Sequence, residues 1–293
     1  IGTNSGSQAT TANNNLLIGT HIGSNITVSS NNIILGKDTG NSLDTDGYSI
    51  IIGSGSGNQN TNGHNLIIGN NAGKGYTGKD SFTIGNNSGT NVEGEFNMFI
   101  GKQSGGSITK KSGSYNLAIG PYTGHFLTSG TRNTIIGSGN SEQSAGKQIS
   151  IGSDNTFIGY RAGSRITEAN RNTLIGSNAG VNLSSGSNNL ILGYSAGFDL
   201  NTGQENICLG NKSGNSLTEG NQNILVGHKA GYKIQTSNKN INIGSESGYE
   251  CVSGHDNINI GYKAGYENTS NDNIFIGLES GKNNTTGTNN IFL

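Results

Sequence analysis

The chain has 293 residues, 50 of them Gly and one Pro, with no Trp, 30% hydrophobic residues and a formal net charge of −1. High Gly without a Gly-X-Y period excludes collagen, a single proline excludes a Pro-rich linker, and disordered chains usually carry a larger net charge. The balanced charge gives no footprint for nucleic acid, and no apolar run approaches the roughly 18 residues that cross a bilayer, so neither nucleic-acid binding nor membrane insertion is expected.

From Ile1-Gly2 onward, a Gly preceded by Ile, Leu or Val returns along the whole chain. It falls at Gly19, Gly36, Gly53, Gly69, Gly85, Gly101, Gly120, Gly137, Gly159, Gly176, Gly193, Gly210, Gly227, Gly244, Gly261 and Gly277. The spacing is 17 six times in succession from Gly159 to Gly261 and 16 or 17 elsewhere, apart from a 19 before Gly120 and a 22 before Gly159. A fixed period of this kind marks a stacked repeat, in which no unit buries its apolar face alone.

Each coil reads as the same four elements in order. A strand runs up to the marker Gly. A corner follows, closed by a second Gly four residues on (Gly23, Gly40, Gly73, Gly163, Gly180, Gly231), where a positive φ suits glycine. A shorter strand is centred on an aliphatic residue (Ile108, Leu127, Ile166, Leu183, Leu200, Leu217, Ile234), and a third Gly (Gly130, Gly186, Gly203, Gly220, Gly254) turns the chain back. The expected fold is all-β: a parallel β-solenoid (β-roll) of about seventeen coils of 16–17 residues, with two parallel sheets around a thin core. At roughly 4.8 Å per coil this is a rod on the order of 80 Å long. The whole of 1–293 reads as one repeat domain. Its one irregularity is a coil insertion at 138–154, a bulged loop rather than a catalytic lid. The chain starts one residue before a marker Gly and stops where the next is due, so it reads as an excerpt of a longer fibrous polypeptide.

Three columns decide how each strand faces. The residue before the marker Gly and the one two earlier are both apolar or Thr, so they are assigned to the interior. The residue between them then points outward: Leu17, Ile34, Ile51, Ile67, Thr83, Phe99, Ala118, Ile135, Phe157, Leu174, Ile191, Cys208, Leu225, Asn242, Asn259, Phe275 and Phe292. Fourteen of these seventeen are apolar, too many for a solvated face, so the stripe is expected to be an oligomer seam, with a side-by-side homotrimer as first choice. Asn242 and Asn259 would be either polar layers near its axis or the mark of a wetter, splayed region. Four residues before the marker Gly, Asn occurs in 15 of 17 coils, with Ser49 and Ser81 as exceptions, and is read as a coil-to-coil amide ladder.

Little in the chain points to chemistry. Gly69-Asn-Asn-Ala-Gly73-Lys74 lacks the spacing of a phosphate loop, and the five histidines share no column and have no carboxylate or cysteine cluster beside them. Cys208 and Cys251 read as unpaired thiols, and Lys110–Lys111 as a solvated turn. No catalytic, cofactor or metal residues are assigned, and an enzyme is not expected. Tyr232, Tyr249 and Tyr266 share one corner phase on three successive coils, an aromatic ladder read first as ring-on-ring stacking that stabilises the coils and, as the alternative, as a surface that could stack on sugar rings of a host surface glycan or receptor.

The unit Asn172–Asn188, "NTLIGSNAGVNLSSGSN", resembles the repeats of phage and large-virus tail fibres, and is similar to the head repeats of trimeric autotransporter adhesins of the YadA type. The resemblance covers essentially the whole chain. It implies a homotrimeric, extracellular structural fibre or adhesin segment on a virion or cell surface, mediating attachment. A secreted or surface matrix or filament protein is the alternative. An ice-binding solenoid is disfavoured because the Thr column (Thr27, Thr109, Thr128, Thr167, Thr218, Thr269) is interrupted by Asp44, Asn201, Gln235 and Val252.

Overall fold

A computed structural model describes residues 1–43, 47–59, 62–106 and 111–293. Asp44, Ile108, Thr109 and Lys110 therefore lie outside the described residues. Among the described residues the first two strands run one residue past a marker Gly, those that follow, apart from the last, stop just before one, and every pairing is parallel. The strands begin with β1 (Leu16–Thr20), β2 (Ile33–Lys37) and β3 (Ile50–Ile52), and the series up to β8 (Thr134–Ile136) forms one ladder. A second ladder runs from β9 (Thr156–Ile158) to β16 (Ile274–Ile276) and β17 (Ile291–Phe292). Register is one coil per step, as in Leu174↔Ile191 and Asn242↔Asn259. The chain is a parallel β-solenoid with two compact units, Ile1–Ile151 and Gly152–Leu293. The division falls inside the lengthened segment 138–154.

Within each unit the glycines act as expected at two positions and differently at the third. Marker Gly176 has φ +136°, and a Cβ there would stand 2.4 Å from the carbonyl oxygen of Gly193 in the next coil. Corner Gly180 has φ +55°. Gly186, by contrast, needs its missing side chain for close approach alone, since a Cβ would lie 2.2 Å from the Gly203 oxygen. Two further corners turn on non-glycine residues in the left-handed region, such as Arg171 (φ 55°) before the Asn column and Lys229 (φ 55°) after the marker Gly. Each left-handed side chain costs of order 1 kcal/mol. The coil below offsets part of it, because Lys229 N–H donates to Asn211 O at 2.9 Å and Arg171 N–H to Ser153 O at 3.1 Å.

The second segment is not the predicted second sheet. Its residues link coil to coil through single backbone hydrogen bonds, as from Asn182 to Phe198 O at 3.1 Å, but follow turns and bends. With Gly on both sides of so short a segment, no extended run forms. Its aliphatic centres are nonetheless core: Leu127, Ile166, Leu183, Leu200, Leu217 and Ile234 are all buried.

The structure inverts the predicted facing of the strands. Ile34, Ile51, Ile67, Phe99, Ile135, Phe157, Leu174, Ile191, Leu225, Asn242, Asn259 and Phe275 are buried within this chain, and Leu17 is partly buried against the same core. Only Phe292, on the last strand, is exposed. These residues cannot line a seam between copies. The outward columns are the two flanking ones, where Leu16, Ile33, Ile50, Met98, Leu190, Ile243 and Ile276 expose between 37% and 48% of their surface. Parity supplies the reason. The Asn column lies two residues before the middle column, so both share one face, and the buried amides bring the middle column inside with them.

Candidate functional site

The amide ladder is internal and its hydrogen bonds close each coil. The backbone N–H of Asn206 and its side-chain Nδ2 both donate to Asn189 Oδ1, at 3.0 and 3.1 Å, while Nδ2 also donates to Gly220 O at 2.8 Å. Asn172, Asn189, Asn223 and Asn240 repeat the scheme. One side chain thus joins the start of its coil to the end of that coil and to the coil before. This meets the requirement that a buried amide be paired.

Asn242 and Asn259 stand in the core between Leu225 and Phe275, not at an axis between chains. Asn259 Nδ2 donates to Asn242 Oδ1 at 2.7 Å, while Asn242 Nδ2 and Asn259 Oδ1 make no hydrogen bond to protein. Cys208 and Cys251 are free and buried, with burial pushing their thiols up to about 12 and about 11. Thiolate chemistry is closed to them while the chain is folded.

Lys111 overturns its assignment to a solvated turn. It is 3% exposed and bridges to buried Val92, taking the place that an aliphatic residue has in other coils. The 19-residue coil before Gly120 is three residues longer than the 16-residue coils that precede it, so the column that holds Val92 next reaches Lys111. Its Nζ donates to Gly105 O at 3.1 Å and to His125 O at 2.6 Å, and burial lowers the ammonium to about 7. Desolvation disfavours the charged form and no carboxylate offsets it. The lengthened coil was legible in the marker spacing, but Lys111 was not legible as a core residue.

The tyrosine ladder forms as a stack. Tyr232–Tyr249 and Tyr249–Tyr266 have centroids 5.0 Å apart with interplanar angles of 16° and 5°. Both faces of Tyr249 are therefore covered by its neighbours, which leaves ring edges and hydroxyls for solvent. A sugar stacks on a ring face, so Tyr249 cannot act as a stacking platform. Lys229 and Lys263 lie over these rings at 5.5–5.9 Å, and Lys233 pairs with Glu250 at 2.7 Å. Lys263 pairs with Glu246 of the preceding coil at 3.5 Å, while Glu279 turns to Lys282 of its own coil. A second stack that sequence reasoning missed, Phe96 on Tyr115 at 5.0 Å, sits at the left-handed corner before the Asn column.

Among the described residues no group of three or more His, Cys, Asp and Glu side chains could hold a metal ion, and no helix is long and apolar enough to cross a membrane. His21 faces Asp38 at 3.6 Å and His64 faces Asp80 at 3.2 Å, both on the exposed surface. Comparison with protein-family models, curated proteins and solved structures gives no match for this chain.

Proposed function

We propose that this chain is a segment of a homotrimeric structural fibre or adhesin, displayed outside the cell or on a virion, that mediates attachment to a surface. The observation that carries this reading is the outward face of the strands. In the second unit alone, eight strands each present aliphatic or Thr side chains from the two flanking columns, from Thr156 and Ile158 to Ile274 and Ile276. At roughly 4.8 Å per strand and about 10 Å of strand length, that patch covers roughly 400 Å² in projection. Exposed apolar patches of this size commonly mark interaction surfaces. The face is self-similar from coil to coil, so a second copy in the same register matches it, and lateral closure around an axis leaves no strand face open. The recurring amide ladder and glycine corners suit a load-bearing scaffold, in which most coils are held by the same bonds.

Light scattering after size exclusion tests the assembly. The expected mass is three times the 30.2 kDa of the chain. A monomer at all concentrations would remove the trimer and favour the alternative reading, a matrix or filament protein whose aliphatic face is covered by a different partner.

A further inference from the structure

We propose that the aliphatic face of the second unit docks on a second copy of this chain, parallel and in the same coil register, and that charged residues along its two edges select that register. Each strand of the face is bounded by two left-handed residues, one five positions before its marker Gly and one two positions after it. In the coils of Gly210, Gly227, Gly244, Gly261 and Gly277 the leading edge reads Glu205, Gln222, Lys239, Asp256 and Asp272. The trailing edge reads Lys212, Lys229, Glu246, Lys263 and Glu279. At all of these positions φ lies between 54° and 60°, so each edge repeats the same turn from coil to coil.

Copies set side by side in parallel around a common axis bring the leading edge of one against the trailing edge of the next. The aliphatic columns repeat in every coil, so a slip of one coil matches them equally well, and they cannot choose a register. The edge charges can. In the same register Glu205 opposes Lys212, Lys239 opposes Glu246 and Asp256 opposes Lys263, against one like pair, Asp272 with Glu279. Glu279 is already neutralised by Lys282 at 2.8 Å. A slip of one coil keeps only Glu205 with Lys229, and sets Lys239 against Lys263 and Asp256 against Glu279. The opposite slip keeps only Asp272 with Lys263, and sets Lys239 against Lys229 and Asp256 against Glu246. An antiparallel copy sets each edge against itself; centred on these coils, it opposes Lys239 to Lys239 and Glu205 to Asp272. Like charges brought together across an interface are costly, which leaves the parallel, same-register arrangement as the favoured one.

The charges are available for this. Lys239 and Asp256 are exposed, and among the described residues Lys212, Lys239 and Asp256 make no ion pair within the chain. Glu205 accepts from Gln222 Nε2 at 2.9 Å, a bond that uses one of its two oxygens. Glu246 and Lys263 pair with each other at 3.5 Å, so Lys239 and Asp256 of a neighbouring copy complete an alternating square of four charges. Such a network gains more than the isolated exposed pair would.

This pairing rests on the lateral assembly of the proposed function, and one set of measurements separates the two. Light scattering over a dilution series of the full chain gives the concentration at which the assembly falls to single chains. Lys212→Glu should raise that concentration about tenfold, because it sets two carboxylates against each other at every contact. Adding Glu205→Lys reverses the pair and should return the concentration to within about threefold of the native chain. Carbodiimide treatment of the native chain gives a readout that needs no variant. Peptide mapping of the two-chain band should find amide links from Lys212 to Glu205 and from Lys239 to Glu246 that the one-chain band lacks. Links one coil apart, such as Lys229 to Glu205, overturn the register, as does a double variant that associates no better than Lys212→Glu alone. An oligomer indifferent to Lys212→Glu and without the expected links overturns the pairing and leaves the assembly standing. A native chain that is monomeric at every concentration overturns the assembly, and the pairing with it.

Discussion

Asn206 closes its own coil and ties it to the preceding one, so its replacement by an apolar residue of similar size does not simply enlarge the core. Asn206→Leu would orphan the Asn223 backbone N–H, which donates to Asn206 Oδ1 at 3.0 Å, and the Gly220 carbonyl. Each orphaned buried group costs about 1–3 kcal/mol, so a loss of about 3 kcal/mol is expected in urea unfolding. Lys111 has the opposite sign. Its proton is lost at about 7 in the fold against 10.5 ordinarily, so above pH 7 the unfolded chain binds more protons than the folded one. Stability from this group then rises between pH 7 and 10.5, by about 5 kcal/mol if the whole shift is expressed, and is flat below pH 7. Lys111→Met should raise stability at pH 7 and flatten that rise, as read from denaturation midpoints across the range.

At the level of the strand, facing decides what a substitution does. Leu190 is 37% exposed and its neighbour Ile191 is fully buried, although both are aliphatic residues of one three-residue strand. Leu190→Lys should leave the fold intact and weaken lateral association, seen as a lower mass with an unchanged circular dichroism spectrum. Ile191→Lys should lose about 4 kcal/mol or more, because it places an unpaired ammonium in the core. If the two variants behaved the other way round, the facing would be that of the original sequence reading. The short second segments obey a different rule. Their centres are buried without forming a ladder, so their contribution is apolar burial more than backbone pairing.

Across each unit, stability accumulates from nearly identical interfaces between neighbouring coils, and the exceptions show where it is weaker. In the second unit the core column passes from Leu225 to the Asn242–Asn259 pair, which leaves two buried polar atoms without a hydrogen bond. Those coils are the expected weak point of that unit. Lateral assembly would compensate. Because only the folded chain presents the aliphatic face, its thermal midpoint should rise with protein concentration, by mass action. A midpoint independent of concentration over a hundredfold range would count against a reversible trimer.

The sequence alone determined the repeat, its period, the coil as the structural unit and the glycine corners, because those follow from local backbone demands that recur at fixed spacing. It also showed an excess of apolar columns over what one thin core can hold. Which of them faces in was beyond it. A two-residue period groups columns by face without saying which face is buried, and counting apolar columns favoured the wrong pair. Tertiary structure decided the matter through the Asn column: an amide is acceptable in a core when the next coil supplies its partners, and those partners exist only once the coils have stacked. The same dependence hid Lys111, whose place in the core follows from an insertion read against the neighbouring coils.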